Sequence, residues 1–334
     1  MVFLNARTLC LLIGLTALAG CSKLIFQPTS VRYSDPARHG IALEDLYIPS
    51  TDGVVLHGWH LPAQGQARGS ALFLHGNGEN ISSHIGSVHW LPAYGYEVFL
   101  FDYRGYGRST GTADLDGVMQ DAQSMIAYAR DHLSAGHKGL TVLGHSMGGS
   151  IAIYALAQLP DRHGINALVS VDAFADYRQV TRDALSGHWL TWAFQWPLSL
   201  TISNRYRPAD YIGRLSPLPV YILHSADDEI IPPAHAGMLF RAAVQPRYRY
   251  YLLGGHNQVL ALSANRKQLL EILDGLGGPP APRVSRTGPY CMKPSLCEEA
   301  VADIITTSSC GWANRRIRGR RGWSSSDPVF RAPG

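Results

Sequence analysis

Eight short runs rich in branched and aromatic residues recur along this chain, and what lies between them is long enough for helices. IALEDLYIP (41–49) and VVLHGWHLP (54–62) alternate apolar with polar residues and read as an antiparallel hairpin. ALFLHG, YEVFLFDYRG, LTVLGHS, ALVSVDAF, PVYILHS and RYRYYLLGG are almost continuously apolar, as strands buried on both faces should be. Helix-compatible stretches occupy 82–93, 115–134, 147–158, 233–244 and 258–274. That order predicts an α/β domain whose mostly parallel sheet is covered by helices. A composition of 46% hydrophobic and 16% charged residues over 334 positions is enough for one large core.

One of these runs ends in an unusual way. TVLGHSMGGS (141–150) crowds three glycines around one hydroxyl, although glycine weakens both strands and helices. Gly144-His145-Ser146-Met147-Gly148 has the form G-x-S-x-G, with the strand-like LTVL before it and the helix-like SIAIYALAQL after it. A turn this sharp needs neighbours almost without side chains, and Gly144 and Gly148 provide them. The glycines thus serve to hold the Ser146 hydroxyl out of the chain, as a nucleophile requires.

With this block in view, the chain resembles the α/β-hydrolase superfamily, in particular its small-lid, serine aminopeptidase-like branch. The resemblance spans roughly residues 40 to 275. It also rests on His75-Gly76-Asn77-Gly78, Asp102-Tyr103-Arg104-Gly105-Tyr106-Gly107-Arg108-Ser109 and Gly255-His256-Asn257. It implies an eight-stranded, mostly parallel sheet flanked by helices, with a small helical lid. It also implies hydrolysis of an acyl bond, first of all a carboxylic ester, then a thioester, amide or peptide.

A serine hydroxyl needs a base to take its proton. Of 14 histidines, His256 follows the last strand on a Gly-Gly turn, where the family places its base. His145 reads as the variable neighbour of the serine, His75 as a residue shaping its loop and His224 as a packed histidine ending a strand. The acid that orients the base falls in His224-Ser225-Ala226-Asp227-Asp228-Glu229-Ile230-Ile231-Pro232, similar to the family block H-G-x-x-D-x-x-I-P. Aligning the histidine and Ile-Pro selects Asp228, with Asp227 one register away and Asp172, after the preceding strand, a third choice. Glu229 reads as a solvated carboxylate at a helix start. By the same resemblance the backbone N–H groups of Met147 and Asn77 hold the oxyanion. Asp102 and Arg104 read as structural. No metal or cofactor is called for.

Residues 176–217 exceed what one crossover helix needs and read as the lid. Trp189, Trp192 and Trp196 are spaced to share one side of a helix, facing either the core and an acyl pocket or a membrane.

The two ends differ from the middle. Residues 1–20 carry one charge, Arg7, before an apolar run and small residues, which is the layout of a secretory signal. Leu18-Ala19-Gly20-Cys21 resembles the bacterial lipobox, which implies lipidation of Cys21; Ser22 at the next position implies sorting to the outer membrane. Residues 21–39 then read as a linker and 40–276 as the catalytic domain. From Ser22 to Tyr290 there is no cysteine, so the core holds no disulfide or thiolate metal site. Residues 277–334 turn to Pro, Gly, Ser and Arg and read as a disordered basic tail. From Arg283 onward nine Arg or Lys face four Asp or Glu, a net +5. The total is +4, so the rest carries −1, and a nucleic-acid partner has no support. The expected partners are an acyl ester and, through Cys21, the membrane of a bacterial envelope. The competing class is an envelope protein that keeps the fold for binding alone; complete triad and oxyanion blocks argue against it.

Overall fold

The computed structural model describes residues 25–134, 139–187 and 189–276, with backbone only for Trp189 and Leu190. The signal peptide, Cys21 and the 277–334 tail lie outside the described residues. All eight expected strands form one sheet. β1 (Glu44–Pro49) and β2 (Val55–Leu61) make the antiparallel hairpin, and β2 runs antiparallel to β4 (Tyr96–Phe101). β3 (Gly69–Leu74), β5 (Leu140–His145), β6 (Ile165–Val171), β7 (Val220–Ser225) and β8 (Arg247–Leu252) continue in parallel, in the order β1-β2-β4-β3-β5-β6-β7-β8. Every residue of β3, β4, β5 and β7 is buried, which explains their unbroken apolar sequence. β8 closes the edge with an Arg- and Tyr-rich, half-exposed strand, a composition that discourages further pairing.

Helices cover both faces. α1 (Ile81–His84) is a single turn; α2 (Leu115–Asp131), α3 (Met147–Gln158) and α8 (Ala234–Ala242) pack on one side of the sheet, and α9 (Ser263–Gly275) on the other. In α2 the residues Leu115, Val118, Met119, Ala122, Met125, Ile126 and Ala129 keep the helical spacing and are all buried. Its N-cap Asp114 accepts the Gly117 N–H at 2.9 Å.

Three expectations change. The helix foreseen over 82–93 is broken after α1 into 3-10 turns at Ile85–Ser87 and Leu91–Tyr94, where Gly86 and Pro92 interrupt the pattern. The last helix begins at Ser263 instead of 258, because residues 256–262 form turns below it. The tryptophans do not share one helix. The lid is α4 (Tyr177–Ser186), α5 (Trp189–Trp192) and α6 (Gln195–Thr201), so Trp189 and Trp192 are on α5 and Trp196 on α6. Beyond it, α7 (Pro208–Tyr211) and a 3-10 turn at Ile212–Leu215 return to the body, with Ile212 and Leu215 buried in the core.

Arg104 and Asp121 clamp the hairpin side of the fold. Asp121 is fully buried and accepts the Arg104 backbone N–H at 2.8 Å, its Nε at 3.0 Å and its Nη2 at 2.8 Å, along with the Ser50 hydroxyl at 2.8 Å. Removing one partner strands the other charge away from water. Asp121→Ala should therefore cost about 3 kcal/mol of stability, read as a lower urea midpoint.

Candidate active site

The chain passes from β5 to α3 through Ser146, which adopts φ 55° and ψ −122°, a conformation rare for any residue with a side chain. Close backbone contact enforces this. A Cβ on Gly148 would lie 2.1 Å from the Leu74 carbonyl oxygen, and one on Gly144 would lie 2.5 Å from the Gly149 Cα. The two flanking glycines are therefore steric necessities, as the sequence indicated. Ser146 donates its own N–H to Val171 O at 2.8 Å, fixing the turn to β6.

His256 stands on the loop after β8. Its Nδ1–H donates to Asp228 Oδ2 at 2.7 Å, while Asp228 Oδ1 accepts the Ile230 and Ile231 amides at 2.8 and 2.7 Å. Burial alone would raise the Asp228 pKa; the His256 and backbone donors outweigh it and hold the carboxyl below its usual value. Asp227 is exposed and Asp228 buried, so the register chosen from Ile-Pro puts the inward-facing carboxylate on the imidazole. His145, next to Ser146, packs its ring 4.9 Å from that of His256 and reaches the His256 carbonyl with Nε2 at 3.1 Å. Ser146, His145, His256 and Asp228 thus share one place at the ends of β5, β7 and β8.

Above the serine lies the loop after β3. A Cβ on Gly76 would sit 3.3 Å from the Ser146 Cβ, which brings the adjoining Asn77 backbone over the turn. Met147 is the first residue of α3, whose leading amides have no partner within the helix. Among the described residues neither the Met147 nor the Asn77 N–H has a hydrogen-bond partner. Two open donors thus lie close to the serine in the chain and in the fold, one of them at a positive helix end.

Supporting residues emerge that the sequence did not reveal. Residues 25–31, expected as a linker, lie against the Asn77 loop. Asn77 Oδ1 accepts the Gln27 N–H at 3.0 Å and the Tyr106 hydroxyl at 2.8 Å, its Nδ2 donates to Ile25 O at 2.5 Å, and Asn80 Nδ2 donates to Thr29 O and Val31 O. Glu229, expected to be merely solvated, accepts the His256 N–H at 3.1 Å. His145, expected to be variable, braces His256. Asn265 on α9 holds the 253–259 loop through Leu253 N–H, Leu253 O and Val259 O. Only adjacency to Ser146 hinted at His145; nothing local marks Asn265 or Glu229. His224 is packed as expected, with Nε2 on Ile231 O at 2.9 Å, and Asp102 is structural, accepting the Ile81 N–H at 2.8 Å.

Asp172, the third choice for the acid, lies near the imidazole but is not the carboxylate bonded to its Nδ1. It is fully buried at φ 49°, accepts the Ser225 N–H at 2.6 Å through Oδ1, and its Oδ2 has no partner. A carboxylate oxygen of Asp172 lies within 4.8 Å of ring nitrogens of His145 and His256, and one likewise of a His224 ring nitrogen and an Asp228 oxygen. Burial, aided by the Asp228 and Glu229 charges and opposed by the Ser225 N–H and His256, pushes its pKa up to about 7. Burial likewise drives His145 down to about 3, so this ring stays neutral and acts as a spacer.

Residues 72–189 match the family described as alpha/beta hydrolase fold. The protein YfhR of Salmonella typhi is 31% identical over 224 residues, 64% of this chain and 73% of that protein. The chain belongs to the α/β-hydrolase superfamily. The alpha/beta hydrolase domain-containing protein WAV2 of Arabidopsis thaliana is 28% identical over 217 residues, 62% of this chain and 69% of its own. Among solved structures, the Pyrococcus furiosus esterase Pf2001 superposes with a TM-score of 0.59 at 20% identity, covering 74% of this chain and 95% of that one. Est1E of Butyrivibrio proteoclasticus, solved with ferulic acid, gives 0.53 at 20% identity, over 68% and 98%. At such identities these two speak for the shared fold.

Two expectations follow. Glycine relieves the positive φ, so Ser146→Gly should raise stability by about 1 kcal/mol in urea unfolding. An unfolded aspartate releases its proton near pH 4 and Asp172 near 7. Between these values the folded state holds the extra proton, so this group's contribution to stability falls as pH rises from 4 to 7. Asp172→Asn should therefore gain on the parent as pH rises, by on the order of 2 kcal/mol at pH 8 relative to pH 5.

Proposed function

We propose that the chain is a lipid-anchored serine hydrolase cleaving carboxylic esters, with Ser146, His256 and Asp228 as its triad. One observation supports this: the residue next to the backbone-strained Ser146 packs on His256, whose Nδ1 is held by a buried carboxylate at 2.7 Å. With Nδ1–H committed to Asp228, His256 is left with Nε2 as its basic atom. Ser146 Oγ attacks the carbonyl carbon as Nε2 takes its proton, and the oxygen of the tetrahedral intermediate is received by the Met147 and Asn77 amides. Collapse breaks the bond to the alcohol, which leaves with the proton from Nε2. Water, deprotonated by the same nitrogen, then attacks the acyl-enzyme and frees Ser146 and the acid. Asp228 keeps the tautomer and stabilises the imidazolium. No step calls on a metal or cofactor.

The Pyrococcus furiosus neighbour is an esterase, which favours an ester over a thioester or an amide on the same triad. Anchoring through Cys21 rests on the lipobox resemblance, which favours a bacterial envelope, and Ser22 favours its outer membrane.

A fluorophosphonate probe should label the full-length chain and not Ser146→Ala. Hydrolysis of p-nitrophenyl butyrate should fall by about 10⁴ in Asp228→Asn, which spoils the tautomer while leaving the fold. A folded parent that takes no label would return the protein to the binding class.

A further inference from the structure

Helix α6 carries its polarity the wrong way round for a helix in water. Ser199 is fully buried, donating Oγ–H to Trp196 O at 3.0 Å and receiving Arg182 Nη1 at 3.5 Å; Gln195, one turn earlier, is half-buried. The apolar residues point outward. Trp192, Trp196 and Leu200 are each 61% exposed, Phe194 56% and Leu198 44%. An amphipathic surface helix ordinarily buries the apolar side. From Ala184 to Asn204 the sequence has no Asp, Glu, Lys or Arg, so this stretch itself brings no charge to the patch. Contiguous apolar surface of this kind marks a contact with something other than water.

Its surroundings narrow the choice. The lid segment 176–217 carries Arg178, Arg182, Arg205, Arg207 and Arg214 against Asp176, Asp183 and Asp210, a net +2. The Arg182 guanidinium sits 4.7 Å from the Trp196 ring centre, pairing a cation with the outward aromatic. The lid leaves β6 at its carboxyl end, the same end of the parallel strands at which the Asn77 loop follows β3 and accepts residues 25–27. Cys21 precedes Ile25 by four residues, a length of chain that bridges at most ~14 Å. An acyl anchor there holds the bilayer at the end of the domain that bears the apolar patch.

We infer that the outward face of α5 and α6 is a membrane-docking surface, seated among the headgroups of the bilayer that receives the acyl chains of Cys21. Tryptophan and phenylalanine suit that zone, with an apolar body and, for tryptophan, a polar N–H. The Arg182 guanidinium beside Trp196 supplies a cation for anionic headgroups. Docked this way, the end of the domain that carries the candidate site faces the bilayer, so its esters come from the membrane side. The inference rests on the anchoring proposed above, and its test needs no turnover.

The acylated full-length chain is reconstituted into vesicles of phosphatidylethanolamine and phosphatidylglycerol, with and without brominated acyl chains, and tryptophan fluorescence is read. Bromine should quench the parent, and Trp192→Phe/Trp196→Phe should lose at least half of the quenched signal while sedimenting with the vesicles as before. Vesicle-bound protein that bromine does not quench overturns the inference, as does quenching unchanged by the double substitution. Lid-to-lid crosslinking that replaces the quenching overturns it too, in favour of a second copy. Ser146→Ala should quench like the parent, so loss of hydrolysis and loss of docking are read separately.

Discussion

The first turn of α3 presses against the end of β3 with no side chain between them, and the rest of the site follows from that contact. Gly148 leaves no room for a Cβ against the Leu74 and His75 carbonyls. The same approach holds Ser146 in its left-handed conformation, aims the Met147 amide outward and brings the Gly76-Asn77 segment over the serine. Any larger residue at Gly148 would separate the strand end from the helix start. The donors would then lose their common focus, and that focus, fixed before a substrate arrives, is what electrostatic stabilisation depends on.

His256 is held from several directions by groups of different kinds. Asp228 takes its side-chain N–H, Glu229 its backbone N–H and His145 its carbonyl, and Asn265 fixes the loop on which it stands. Asp172 adds a second carboxyl close by. Two ionised carboxylates this near each other in a buried site would repel, and the structure separates their titrations. Asp228 has three donors and stays charged, whereas Asp172 has one donor and keeps its proton more readily.

What the sequence revealed and what it hid have physical reasons. The strands were legible because burial on both faces leaves them continuously apolar, and the serine turn was legible because steric crowding admits only glycine beside it. Asp228 was separable from Asp227 because the Ile-Pro pair fixed the register. The break near Gly86 and Pro92 was harder to see, since the apolar spacing there persists through 3-10 turns. The tryptophan spacing likewise continues across a helix boundary at Phe194. Glu229 and Asn265 act through backbone groups of a loop outside their own elements, and no local pattern records such partners. The segment 25–31 looked like a linker because its hydrogen bonds use main-chain atoms, which any composition supplies.

That segment has a mechanical meaning. Gln27, Thr29 and Val31 are tied to Asn77 and Asn80, and Gly107 donates its N–H to Thr29 O at 2.9 Å. Force applied at the amino terminus, from a fused handle, a solid support or a shearing bilayer, therefore reaches the Asn77 loop before it reaches the sheet. The loop over the serine is in series with the tether, and slack upstream of Ile25 sets how much load it bears.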